Sequence, residues 1–99
     1  MAHFAELDDE HIVLRVLVVD NKNILDEDGN ESEQIGIDFL QRIFGQDTKW
    51  MQCSYNNQFR GEYPGAGWYW VEELDKFMNT DNYYDYANPP DPSLNTENQ

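Results

Sequence analysis

The chain has almost no positive charge: six Lys or Arg stand against twenty Asp or Glu, a formal net charge of -14 over 99 residues. A surface of that sign repels DNA, RNA and anionic membranes. Nucleic acid and membrane are therefore not expected partners. Cysteine is nearly absent as well. Cys53 stands alone, so no intrachain disulfide can form, and the chain reads as made in a reducing cytosol. No apolar run approaches the roughly 20 residues that span a bilayer. The N-terminal Met-Ala-His-Phe-Ala-Glu lacks a basic segment followed by an apolar stretch, so it does not read as a secretion signal. Cys/His zinc spacing, a phosphate-cradling Gly loop and a nucleophile elbow are all missing from the sequence.

What is there is aromatic. Hydrophobic residues reach 39%, low for a globular domain, yet aromatics reach 14%, which predicts a small aromatic-rich core beside polar stretches. Residues 2–7 and 12–19 read as a β-hairpin about the polar turn Asp8-Asp9-Glu10-His11. The run Ile-Val-Leu-Arg-Val-Leu-Val-Val is apolar on both faces except at Arg15, which predicts a central strand. A loop over 20–30 leads to a helix from Glu31, with Asn30 as cap and Glu33 three residues on. Gly36, Phe39, Leu40, Ile43 and Phe44 share one helical face, and Gly45 stops the helix. Strands are expected at 49–55, 68–71 and, as a short edge, 76–78, with an extended stretch at 58–63. Pro64-Gly65-Ala66-Gly67 supplies a turn. From Asn79 the Asn, Asp, Tyr and Pro content predicts an extended tail without a core of its own.

The fold class expected is thus α+β: an antiparallel sheet of four or five strands with one helix packed on it, in a globular domain 1–78 followed by an extended tail 79–99.

Three groups invite chemistry. Asp26, Asp28, Asn30 and Ser32 fall at alternate positions like calcium ligands, but Glu31 and Ile37 occupy the places of the sharp-turn Gly and the bidentate Glu. Cys53, His3 and His11 offer a nucleophile and bases, with no oxyanion signature around the thiol. Acidic pairs such as Glu72 and Asp75 suit a solvated surface in a chain this acidic. No catalytic residue, metal ligand or cofactor is therefore assigned. The crowding of Phe59, Tyr63, Trp68, Tyr69, Trp70 and Phe77 carries more information. Alternation puts Trp68 and Trp70 on one face of a strand and Tyr69 on the other. One set is expected in the core and the other at a contact. Trp68, Tyr69 and Trp70, with Tyr83, Tyr84 and Tyr86 of the tail, are the candidate partner-binding residues.

Several segments resemble a known family. Phe4-Ala5-Glu6-Leu7-Asp8 with residues 12–19, then Trp50-Met51-Gln52, Ser54-Tyr55-Asn56, Phe59-Arg60, residues 63–67 and Asp75-Lys76-Phe77, are similar to small virion proteins of marine tailed bacteriophages of the cyanophage type. The similarity spans residues 1–78. Pro64 stands where that family has Ala, and Cys53 where it has Thr. The resemblance implies a non-enzymatic structural component of a virion, made in the host bacterial cytoplasm and present in several copies. It would contact major capsid or tail proteins, as a head decoration protein or as a tail or tail-fibre attachment protein. An acidic DNA mimic that blocks a host nucleic-acid enzyme is the alternative from another class. Such a mimic needs carboxylates at phosphate-like spacing along one rigid face.

Overall fold

The computed structural model describes residues 1–90. Strand β1, Ala2–Leu7, pairs antiparallel with β2, Val13–Val19, and on its other side with β3, Lys49–Cys53. The order β2-β1-β3 follows from the chain path. Helix α1, Glu33–Phe44, carries the chain from β2 across β1 to the far edge. A second antiparallel pair, β4 (Tyr69–Val71) with β5 (Lys76–Met78), forms its own sheet, and helix α2, Thr80–Ala87, follows it.

The class is α+β as expected, with three corrections. Among the described residues the strands divide into sheets of three and two, so neither reaches four or five. A bulge between Glu6 and Leu7 breaks the β1–β2 register beside Val13, and such a bulge bends a strand and ends regular pairing. The second sheet therefore meets the first at one bridge, Ile12 with Tyr69, supported by the Val13 and Trp70 amides donating to the carbonyls of Trp68 and His11. Second, β2 is an edge strand and β1 is central; Phe4 and Ala5 of β1 are both 0% exposed. Third, the described residues hold two α-helices: the segment read as an extended tail folds into α2 before Pro89. Residues 91–99 of that tail lie outside the described residues.

Smaller differences have local causes. The helix begins at Glu33 because Ser32, not Asn30, caps it, its Oγ accepting from the Ile35 amide at 3.3 Å. Residues 58–63 are not a strand; Arg60 and Gly61 take φ of 57° and 77°, outside the extended region. Strand β3 stops at Cys53, and Ser54 turns the chain by accepting from the Gln58 amide at 2.9 Å.

Two cores sit on the two faces of the central sheet. On one, α1 covers Ala2, Phe4, Val19, Ile24 and Trp50 through Leu40. Gly36 is what allows the close approach: a Cβ there would lie 2.4 Å from the Phe4 ring tip. On the other face, Trp70 and Phe77 of the small sheet cover Ala5, Leu7, Val13 and Cys53. Glu33 ties the layers together. Its carboxylate accepts from the Gln52 amide at 2.8 Å and takes a two-pronged contact from the Arg60 guanidinium, which also donates to the Gln52 carbonyl.

Candidate functional site

The aromatic residues singled out from the sequence separate into different environments. Trp70 is a core residue, 4% exposed, its ring 5.0 Å from Phe77 and its indole N–H donating to Glu72 at 2.7 Å. It has no surface to offer a partner. Trp68 is half-buried against the same core and lines a small cleft with Glu62, Lys76, Asn79 and Asn82. Tyr69, on the opposite face of β4, stacks on Tyr83 of α2 at 3.9 Å with the rings 7° from parallel. Tyr86 donates its hydroxyl to Glu73 at 2.9 Å, and that bond to a carboxylate holds its pKa above the usual phenol value. Tyr84 points away, 64% exposed. The contact face of the aromatic strand is therefore filled by the chain's own second helix. Within this set Tyr84, and partly Trp68, stay open to another molecule.

A second aromatic group gathers around His3, with Tyr63 packed on the same core as Trp68 and Trp70. His3 stacks on Tyr55 at 5.2 Å and meets the edge of Tyr63 at 5.4 Å, and the two tyrosines touch each other at 5.2 Å. Asn57 orients Tyr63 by accepting from its amide at 2.8 Å. Beside them is an open cleft of about 190 Å³ reached by Gln52, Ser54 and the exposed Phe59. Burial, followed by the charge of the N-terminus, pushes the His3 imidazole below its ordinary pKa and so favours its neutral form. Sequence reasoning missed this group because its members come from β1 and from two turns more than fifty residues away. The only signal was the odd-even alternation that places His3 on the same face as Ala5.

Of the residues considered for catalysis, the structure joins two. His3 and Cys53 are cross-strand partners. His11 sits in the hairpin turn with φ of 66°, exposed and at the far end of β1. Burial pushes the Cys53 thiol up to about 12, which leaves no thiolate to attack at neutral pH. The acidic loop is organised by its own carboxylate: Asp26 accepts from the amides of Asp28 and Asn30, both at 2.9 Å. Asp8 closes the β1–β2 turn the same way, accepting from Glu10 and Ile12. Glu72 is held by Trp70, and Asp75 ends a 3-10 turn with φ of 52°. Among the described residues no three His, Cys, Asp or Glu side chains converge as metal ligands. None of their helices is long and apolar enough to cross a membrane.

Apolar side chains are exposed on the central sheet as well. Leu14 and Val18 of β2 are 50% and 53% exposed, on a strand paired along one side only. No family model, curated protein or solved structure matches this chain.

Proposed function

We propose that the chain is a non-enzymatic structural component of a tailed-bacteriophage virion, made in the host bacterial cytoplasm and acting by surface contact with major capsid or tail proteins. The preferred position is the outer face of the head, as a decoration protein in many copies; attachment to the tail or its fibres comes second. The observation that carries the reading is the partition of side chains. The groups with chemical potential are spent on structure: Cys53 is buried, Glu33 clamps β3, and Asp8 and Asp26 tie turns. The groups left on the surface, Leu14, Val18, Tyr55, Phe59 and Tyr84, are those that make protein contacts. The resemblance of residues 1–78 to small virion proteins supports the same reading.

The DNA-mimic alternative is disfavoured by where the carboxylates sit. Most of them are distributed over the turn at 8–10, the loop at 26–28, the turn at 72–75 and α2, elements separate along the chain. Quantitative mass spectrometry of purified particles tests the proposal. A copy number near that of the major capsid protein supports decoration, and a few copies support the tail. Presence in the infected lysate with absence from particles refutes the virion reading.

A further inference from the structure

The two edges of the central sheet are treated differently by the chain. At β3 the outward-facing Gln52 amide and carbonyl are both engaged, by Glu33 at 2.8 Å and Arg60 at 2.8 Å. At β2 only Val13 is engaged, its amide bonding to Trp68 and its carbonyl to Gly67. From residue 14 to residue 19 the outer edge has no backbone partner among the described residues. Monomeric proteins blunt such an edge with Lys, Pro or an inward charge. This one, Leu-Arg-Val-Leu-Val-Val, has no Lys or Pro, and past the bulge at Leu14 and the charge at Arg15 its last four residues, Val-Leu-Val-Val, carry neither a charge nor a break in pairing. Its single charge, Arg15, is bound to Glu6 of its own sheet at 2.7 Å.

We propose that β2 is a self-association edge, and that a second copy of this chain pairs with it antiparallel across a twofold axis. The charge pattern selects the occupant. A basic partner would be drawn to the carboxylates, but β2 carries none of the twenty. It is the stretch along which two bodies of charge -14 approach with no acid opposing acid. A strand of this composition is also self-complementary. Paired with itself it sets apolar side chains beside apolar side chains, as an isologous contact requires. The product is one six-stranded sheet in the order β3-β1-β2-β2-β1-β3. The inference stands apart from the virion reading and is tested on the isolated protein.

Sedimentation equilibrium of the full chain at about 0.1 mM, a concentration that populates complexes of micromolar affinity, should give twice the 11.7 kDa of one chain. Association should tighten as salt rises, because screening relieves the repulsion between two acidic bodies. The double variant Leu14→Lys/Val18→Lys replaces half-exposed side chains, so the monomer should keep its fold. Its association should weaken by roughly tenfold or more, since the new ammonium groups would be desolvated without partners. Amide exchange on the wild type provides an independent reading, with protection of the outward amides of Val16 and Val18 rising with protein concentration. A wild-type monomer at that concentration overturns the proposal, as does a folded double variant that still dimerises or protection of Val16 and Val18 that is independent of concentration. If the full chain is monomeric and deletion of 91–99 makes it dimerise, the edge belongs to the chain's own terminus, and the proposal fails.

Discussion

Replacing Gly36 with Ala adds one methyl group at the tightest point of the fold. An added Cβ would lie 2.4 Å from Phe4 Cζ, 3.0 Å from Phe4 Cε1 and 3.0 Å from Ile24 Cγ2. Phe4 and Ile24 are both 0% exposed, and the ring tip is the far end of a rigid group enclosed on every side. Relief therefore requires α1 to lift from the sheet or the ring to leave its rotamer. Overpacking of this kind costs about 1–3 kcal/mol, and an overlap this deep belongs at the upper end. Against that stands the helix-propensity gain of Ala over Gly, about 1 kcal/mol. The net expectation is a loss of about 2 kcal/mol, which for a domain this size lowers Tm by roughly 8–16 °C. Urea unfolding followed by Trp fluorescence reads it as a lower midpoint at unchanged slope. A double-mutant cycle assigns the cause: in a Phe4→Leu background, which removes the ring tip, the cost of Gly36→Ala should fall to near zero. If Gly36→Ala is as stable as the wild type, or if its cost is the same in both backgrounds, the close approach of α1 to Phe4 is wrong.

Other consequences are as specific. Tyr83→Ala removes the stack on Tyr69, worth about 0.5–1.5 kcal/mol beyond its area. An eight-residue helix has little stability of its own, so in this variant the amides of α2 should exchange freely while those of β1 stay protected; equal protection of α2 in the variant and the wild type would count against its docking. Arg60→Met should cost about 1.5–3 kcal/mol, the range for hydrogen bonds to charged groups, reduced toward its lower end by partial exposure of the pair; an unchanged urea midpoint would show that Glu33 holds β3 alone. Cys53 should be inert to a thiol reagent in the folded protein at pH 8 and react fully in denaturant. Because burial raises its folded-state pKa from 9.0 to about 12, the unfolded chain loses that proton first as pH rises. Stability should therefore fall between about pH 9 and pH 12, and Cys53→Ala should lack that part of the alkaline loss. Calorimetry with calcium should show no binding at 26–32 tighter than about 0.1 mM, within the range that helix-loop-helix calcium sites reach.

How much of this was legible depends on whether the deciding interaction was local. The β1–β2 hairpin, the helix ending at Gly45 and the strand at 76–78 are set by residues within a few positions of each other, and their bounds agree with the sequence reading to within two residues. The exception within α1 is its last turn. Ile43 and Phe44 keep helical spacing with Leu40, yet Ile43 is 57% exposed and Phe44, 39% exposed, packs on Trp50 and beneath Arg15 at the margin of the core. Helix α2 was missed on composition, since Asn, Asp and Tyr are weak helix formers. Its signals were nonetheless present: Asn79 as cap, accepting from the Asn82 amide at 2.7 Å, Asp81 in the first turn, Tyr83 and Tyr86 three apart, and a proline after the end. The Glu33–Arg60 clamp joins residues 27 apart and the His3–Tyr55–Tyr63 group joins residues 60 apart. No local pattern encodes either.

The misplaced strand is informative for a different reason. A strand apolar on both faces belongs, by composition, between two neighbours, and β2 meets that description better than any other segment here. The chain path gives the middle position to β1, whose His3 and Glu6 make it the more polar of the two. β1 is the better covered of the two, while Leu14 and Val18 leave β2 half-exposed, so burial of faces does not explain why β2 should be the more apolar one. The remaining difference is the open hydrogen-bonding edge. At β3 the chain commits a Glu, an Arg and a left-handed Arg60 backbone to closing that edge, although Gln52 and Lys49 already make β3 more polar. At β2, where the side chains are least suited to water, it commits nothing beyond Val13. Composition and position agree on β2 once the sheet continues past it, which is why the central-strand pattern and the unsealed edge are best read as one feature.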